Sequence, residues 1–226
     1  MNGRLGCLPI FLFLLLLFLL PLVFAQFMGL ALAKLRLDPS VAMFVIVGIF
    51  LGSVVNIPFT RITRQDEVIA HPYPLFGFLD IGSHLQRSPN ETILAVNLGG
   101  CVIPTLVAVY EILQILRDSW IYLLPIVLAI TINTAVCYRL AKPVKGIGIA
   151  MPALVPPLVA ALTALLLAPD EAPSVAFVAG VFGPLLGADV LHIREIPRIA
   201  TGMASIGGAG TFDGIVLSGI LAAYLA

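Results

Sequence analysis

Residues 175–193 read VAFVAGVFGPLLGADVLHI, and residues 201–226 read TGMASIGGAGTFDGIVLSGILAAYLA. As helices, both runs are long enough to cross a bilayer core of about 30 Å. Both are rich in glycine, and each carries a single aspartate, Asp189 or Asp213. A carboxylate in hydrocarbon is costly, so it is expected to face a bundle interior, a partner or a water-filled pathway. Such groups on consecutive spans point to a buried site.

The rest of the chain agrees with a membrane setting. It has 60% hydrophobic and 11% charged residues and a mean hydropathy of +1.10. Soluble domains average about 45–50% apolar and about 25% charged. The pattern predicts an all-α polytopic membrane protein, one membrane domain over residues 1–226. About seven transmembrane helices are expected, near 8–31, 41–57, 93–116, 120–140, 149–167, 175–193 and 201–226. For the first run the rival is a secretory signal peptide, because Val23-Phe24-Ala25 resembles a cleavage site. The apolar run continues past Gln26 and further spans follow, which favours an uncleaved helix. Residues 59–92 are the long polar stretch. Their apolar residues alternate with prolines and glycines, which predicts a short extended or β-hairpin flap at the membrane surface, between the second and third spans.

Formal net charge is zero and no basic cluster stands alone, so nucleic acid is not an expected partner. The lipid bilayer is the expected partner, with a membrane substrate or small solute of unknown identity. Cys7, Cys101 and Cys137 sit singly, and His71 and His84 lack ligand spacing, so neither a metal nor another cofactor is expected. Seven spans put Arg4, Arg61, Arg64, Arg87, Arg139, Lys142, Lys145, Arg194 and Arg198 on one side, against Lys34, Arg36 and Arg117 on the other. The positive-inside rule then predicts a plasma (inner) membrane protein with a cytoplasmic N-terminus and an external C-terminus.

Ala176, Gly180, Gly183 and Gly187 form a stripe of small residues that lets another backbone come close. Asp189 lies roughly 200° from Gly187 on an ideal helix, with His192 three residues on and able to share its proton. Gly207, Gly210, Gly214 and Ser218 form a second stripe flanked by Asp213, and with Gly208 they make that helix bendable. Asn97, Gly100, Pro104 and Glu111 share one side of the third span, and Thr131, Thr134 and Tyr138 one face of the fourth. On ideal helices the two aspartates differ in depth by roughly 10 Å. A break at Gly183-Pro184 or Gly207-Gly208 would bring them together.

Three uses compete. Asp189 and Asp213 as a catalytic pair sharing one proton would make an intramembrane aspartyl-protease-like hydrolase, if the protein is an enzyme. The same acids would suit a proton- or sodium-coupled transporter, with Asp213 holding the ion and Asn97 helping to ligate it. In either case Asn97, Gly99, Gly100, Gly207, Gly208, Gly210 and His192 are the candidates for binding a substrate or ion. The third use is a non-catalytic scaffold with residues 59–92 as its docking surface.

The stretches AVNLGGCVIPTLVAVY, LLGADVL and ASIGGAGTFDGIVLSGILA, with the VNIP closing the second span, resemble an uncharacterised prokaryotic membrane family, domain of unknown function 1614. The likeness covers nearly the whole chain and implies a fold type without an activity. Gly208-Ala209-Gly210 followed by Asp213 also resembles the glycine-x-glycine-aspartate motif of the presenilin-like intramembrane aspartyl proteases, with the aspartate displaced by two residues. Ala188 precedes Asp189 where that motif has glycine. Pro152-Ala153-Leu154 spells their proline-alanine-leucine signature but precedes both acids. That likeness implies Asp189 and Asp213 as the catalytic pair.

Overall fold

A computed structural model describes residues 7–63, 91–144, 148–198 and 202–226. Among them are seven α-helices: α1 (Cys7–Lys34), α2 (Pro39–Gly52), α3 (Ile103–Asp118), α4 (Leu123–Leu140), α5 (Val155–Leu167), α6 (Ala172–Pro184) and α7 (Gly214–Leu225). Four helical stretches are long and apolar enough to cross a membrane: Pro9–Lys34, Leu98–Asp118, Trp120–Leu140 and Pro169–Val190. The protein is therefore a helical membrane protein. Helices α2, α5 and α7 have 14, 13 and 12 residues. At about 1.5 Å per residue each covers only about 18–21 Å of a core about 30 Å thick.

The shortening has a local cause in each case. The stretch 201–226, expected as one helix, is a strand β5 (Met203–Ile206), a glycine turn, a 3-10 turn (Gly210–Phe212) and then α7. Gly207 and Gly210 have φ of 71° and 62°, a left-handed backbone that cannot continue a right-handed helix. The stretch 93–116 begins as strand: β2 (Glu91–Asn97) precedes a π-helical turn, Leu98–Val102, that leads into α3. Pro156 and Pro157 at the first positions of α5 supply a fixed φ where no amide is needed. Before them lies a two-stranded hairpin, β3 (Lys142–Val144) with β4 (Gly148–Ala150). At the other end of α2, Asp38 caps the helix by accepting from the Ser40 amide at 2.9 Å.

Strand β1 (Asn56–Thr63) pairs antiparallel with β2, from Asn56↔Asn97 to Thr63↔Glu91, with an irregularity between Pro58 and Thr60. These are the arms of the expected flap. Residues 64–90 between them, with His71 and His84, lie outside the described residues. The sheet order is β1-β2-β5, and β5 runs parallel to β2 in the register Ile93↔Met203 to Val96↔Ile206. The proline of β1 sits on an edge strand, where its missing amide costs little.

Helix α6 is the axis of the bundle, packed against α3, α4, α5 and α7. Every residue from Ser174 to Val181 is buried. Lipid is as apolar as leucine, so this packing is held by close contact and hydrogen bonds more than by hydrophobic expulsion. Gly180 lies against the backbone of Ser218 and Gly219 in α7, and Gly187 against Thr134 and Cys137 in α4. The cross-helix bond of α4 comes from Asn133, whose Nδ2 donates to the Ala179 carbonyl at 2.8 Å. The expected face of Thr131 and Thr134 does not make it: Thr131 donates back to Val127 within its own helix. The first part of α1 is exposed along its length, while Met28, Ala31, Leu32 and Leu35 near its end are buried in the core.

The bundle has two unlike ends. One gathers the sheet and the β3–β4 hairpin. At the other, the Lys34 Nζ donates to the Tyr224 carbonyl at 2.6 Å and Arg36 pairs with Glu171 at 3.2 Å.

Candidate functional site

Three backbone segments meet at the sheet end: the end of α2, the π-helical turn before α3 and the glycine turn after β5. Gly99 lies against the Ile49 carbonyl and the Ser53 amide, and Gly100 against the Gly207 carbonyl. A Cβ at either position would overlap backbone atoms, so only glycine permits the approach. Asn97, fully buried, fastens the junction. Its Oδ1 accepts from the Gly100 amide at 2.7 Å, and its Nδ2 donates to the Ser53 carbonyl at 2.8 Å and to Asn56 Oδ1 at 3.1 Å. Ser205 Oγ donates to the same Asn56 oxygen at 2.6 Å, and the Ser53 and Thr211 hydroxyls pair at 2.6 Å.

In front of this junction is a cleft of about 450 Å³, lined by Asp189, Asp213, Asn56, Ser205, Gly208 and Ile149 among others. The two aspartates reach it by different routes. Because α7 starts late, Asp213 stands at its N-cap instead of at mid-span. Its Oδ1 accepts from the Ile215 amide at 3.0 Å and its Oδ2 from the Ala209 amide at 3.2 Å. Asp189 comes from the π-helical continuation of α6, Leu185–Val190, whose wider winding follows Pro184. The Gly207 amide donates to Asp189. The break near Gly207-Gly208 is thus what closes the depth gap that ideal helices would leave.

No Lys or Arg is among the described residues lining the cleft. Two like charges facing one cleft disfavour double ionisation, so the arrangement is suited to sharing a proton or admitting a cation.

The remaining sequence candidates divide between the cleft and its support. Gly208 is on the cleft wall; Gly207 and Gly210 shape the turn behind it; Asn97, Gly99 and Gly100 form the junction that holds the turn. His192 does not line the cleft. It is buried with Nδ1 3.0 Å from the Gly187 carbonyl and its ring 4.9 Å from that of Tyr138. Asn56, Ser205, Ala209 and Ile149 line the cleft without having been singled out. For Asn56 a signal existed, a polar residue in the VNIP that closes an apolar run. For Ile149 there was none. Among the described residues no group of three His, Cys, Asp or Glu could hold a metal ion.

The profile of the family described as "Protein of unknown function (DUF1614)" matches residues 50–225. The chain belongs to this family. No curated protein and no solved structure matches it, so the likeness to intramembrane aspartyl proteases gains no support there. The DUF1614 match begins within the last turn of α2 and takes in both aspartates, the junction and all three strands of the sheet. Helix α1 and most of α2 lie outside it.

Proposed function

We propose that Asp189 and Asp213 act as one acid–base pair, and that the protein is a membrane-embedded hydrolase of the aspartyl type acting on a peptide bond presented at the sheet end. The reading rests on one observation: both carboxylates line the same cleft, with no cation on its described walls. Asp213, with amide donors on both oxygens, suits the ionised partner that takes a proton from water. Asp189 then holds the shared proton and gives it to the departing amine. Asn56 and Ser205 supply polar groups on the opposite wall that can orient the carbonyl.

A second reading is favoured by where the cleft lies, between a π-helical segment and a glycine turn. Broken helices of this kind are where coupled transporters bind protons or sodium. In that case the pair carries the coupling ion of a small solute. On either reading, the sheet end with Arg61, Arg139, Lys142 and Arg194 faces the cytoplasm of the plasma membrane, and the C-terminus lies outside.

Wild type, Asp189→Asn and Asp213→Asn, reconstituted in liposomes, separate these readings. Hydrolysis predicts cleavage of membrane-inserted peptides that falls about 100-fold or more in each variant. Loss of ion-driven uptake without any peptide cleavage supports the second reading. If both replacements leave cleavage and uptake intact, the site assignment is wrong. A protease-cleavable tag after Ala226, digested in intact cells only from outside, checks the orientation.

A further inference from the structure

Glu111 belongs to neither reading above. It stands on α3 within the bundle, 3% exposed, and its Oε1 has no hydrogen-bond partner. Its hydrogen-bonding neighbour is the hydroxyl of Ser174 on α6, itself 5% exposed. Three residues before Ser174, and so on the same side of the chain as it enters α6, is Glu171. Glu171 pairs with Arg36 at 3.2 Å on the end of the bundle opposite the aspartate cleft; their side chains are 18% and 70% exposed.

The charges around Glu111 are few. Helices α2 and α7 carry no charged side chain, and the core of α6 from Ala172 to Pro184 carries none. Arg36 and Glu171 are the charged groups acting on Glu111 from neighbouring elements, and Arg117 and Asp118 close its own helix. Arg36 is already paired. An ionised carboxylate with one bare oxygen would stand here without a cation beside it, an arrangement that burial penalises severely. A proton on that oxygen removes the penalty.

We propose that Glu111 is a proton-binding station that opens to the α1–α2 end and is loaded from solvent through Glu171 and Ser174. An exposed ion pair is worth about 0–1 kcal/mol, so the Arg36–Glu171 contact opens readily. A hydronium ion then protonates the Glu171 carboxylate. Glu171 passes that proton to Ser174 Oγ as the Ser174 hydroxyl gives its own hydrogen to Glu111 Oε1. One proton moves inward and Ser174 is unchanged. The inference stands on residues distant from Asp189 and Asp213 and does not depend on what their cleft does.

The test is infrared spectroscopy of the full chain in lipid nanodiscs, following protonated-carboxyl C=O absorption and its shift on transfer to heavy water. Wild type is expected to show a band that Glu111→Gln removes and Asp213→Asn leaves in place. Glu171→Gln and Ser174→Ala are expected to keep the band and slow its deuterium shift about tenfold or more. Asp170→Asn, on the exposed neighbour of Glu171, should change neither. Should Glu111→Gln fail to fold, the exchange rates in Glu171→Gln and Ser174→Ala decide the matter alone. The proposal is overturned if wild type lacks the band or if the band survives Glu111→Gln. Displacement of the band by sodium at fixed pH, or exchange as fast in both relay variants as in wild type, overturns it equally.

Discussion

Asp213 serves structure and chemistry with the same carboxylate, and the two roles can be separated. Its oxygens accept the Ala209 and Ile215 amides, so Asp213→Ala should lower stability by about 1–2 kcal/mol, the usual cost of losing an N-cap. Asp213→Asn keeps a cap oxygen and should melt close to wild type in detergent, while losing cleavage or uptake as fully as the alanine variant. Asn97 is a different case. All its printed bonds go to protein, and Asn97→Ala strands the Gly100 amide and the Ser53 carbonyl in the interior. A loss of about 3 kcal/mol is expected, seen as a lower melting temperature or a failure to express in the membrane. The ligand role that the sequence suggested for Asn97 is thus joined to a structural one, and the Asn56–Ser205 pair stands nearer the cleft.

Among elements, glycine marks where backbones touch. Gly100 meets the Gly207 carbonyl, whereas the nearest atom to a Cβ on Gly214 is Met151 Cε at 3.7 Å. Gly100→Ala should therefore cost about 3 kcal/mol or more by driving the π-helical turn off the glycine turn. Gly214→Ala, at the start of α7, should be neutral or stabilising by up to about 1 kcal/mol. Thermal melting of the two variants side by side checks the contrast. The α4–α6 seam allows a finer test. A Cβ on Gly183 would overlap the Asn133 amide group, so Gly183→Ala is expected to destabilise wild type and to be better tolerated with Asn133→Ala. A double-mutant cycle should give a coupling of about 1 kcal/mol or more.

At the scale of the molecule, the three short helices leave the bundle unequal at its two ends. The sheet, the junction and the aspartate cleft fill the space that longer helices would have occupied. The opposite end is closed by turns, with the Arg36–Glu171 and Lys34–Tyr224 contacts between them. Arg36→Ala should change the melting temperature little, because an exposed ion pair contributes about 0–1 kcal/mol. If Glu171 loads Glu111, the same variant should speed the deuterium shift of the Glu111 band. Stability and exchange would then respond separately to one substitution.

What the sequence by itself determined is what periodicity and composition can carry: a helical membrane protein, extended arms about residues 59–92, and acids too costly to leave in lipid. Those are local properties, set by apolar runs longer than a bilayer core and by the burial cost of charge. Only the tertiary structure decided that residues 201–213 are a strand and a turn, because glycines next to apolar residues suit a weak helix equally well. The parallel pairing of β5 with β2 and the contact of Gly100 with Gly207 join segments about a hundred residues apart in the chain, and no local pattern announces such a meeting. That long-range fit moves Asp213 to the head of α7 and sets it in one cleft with Asp189.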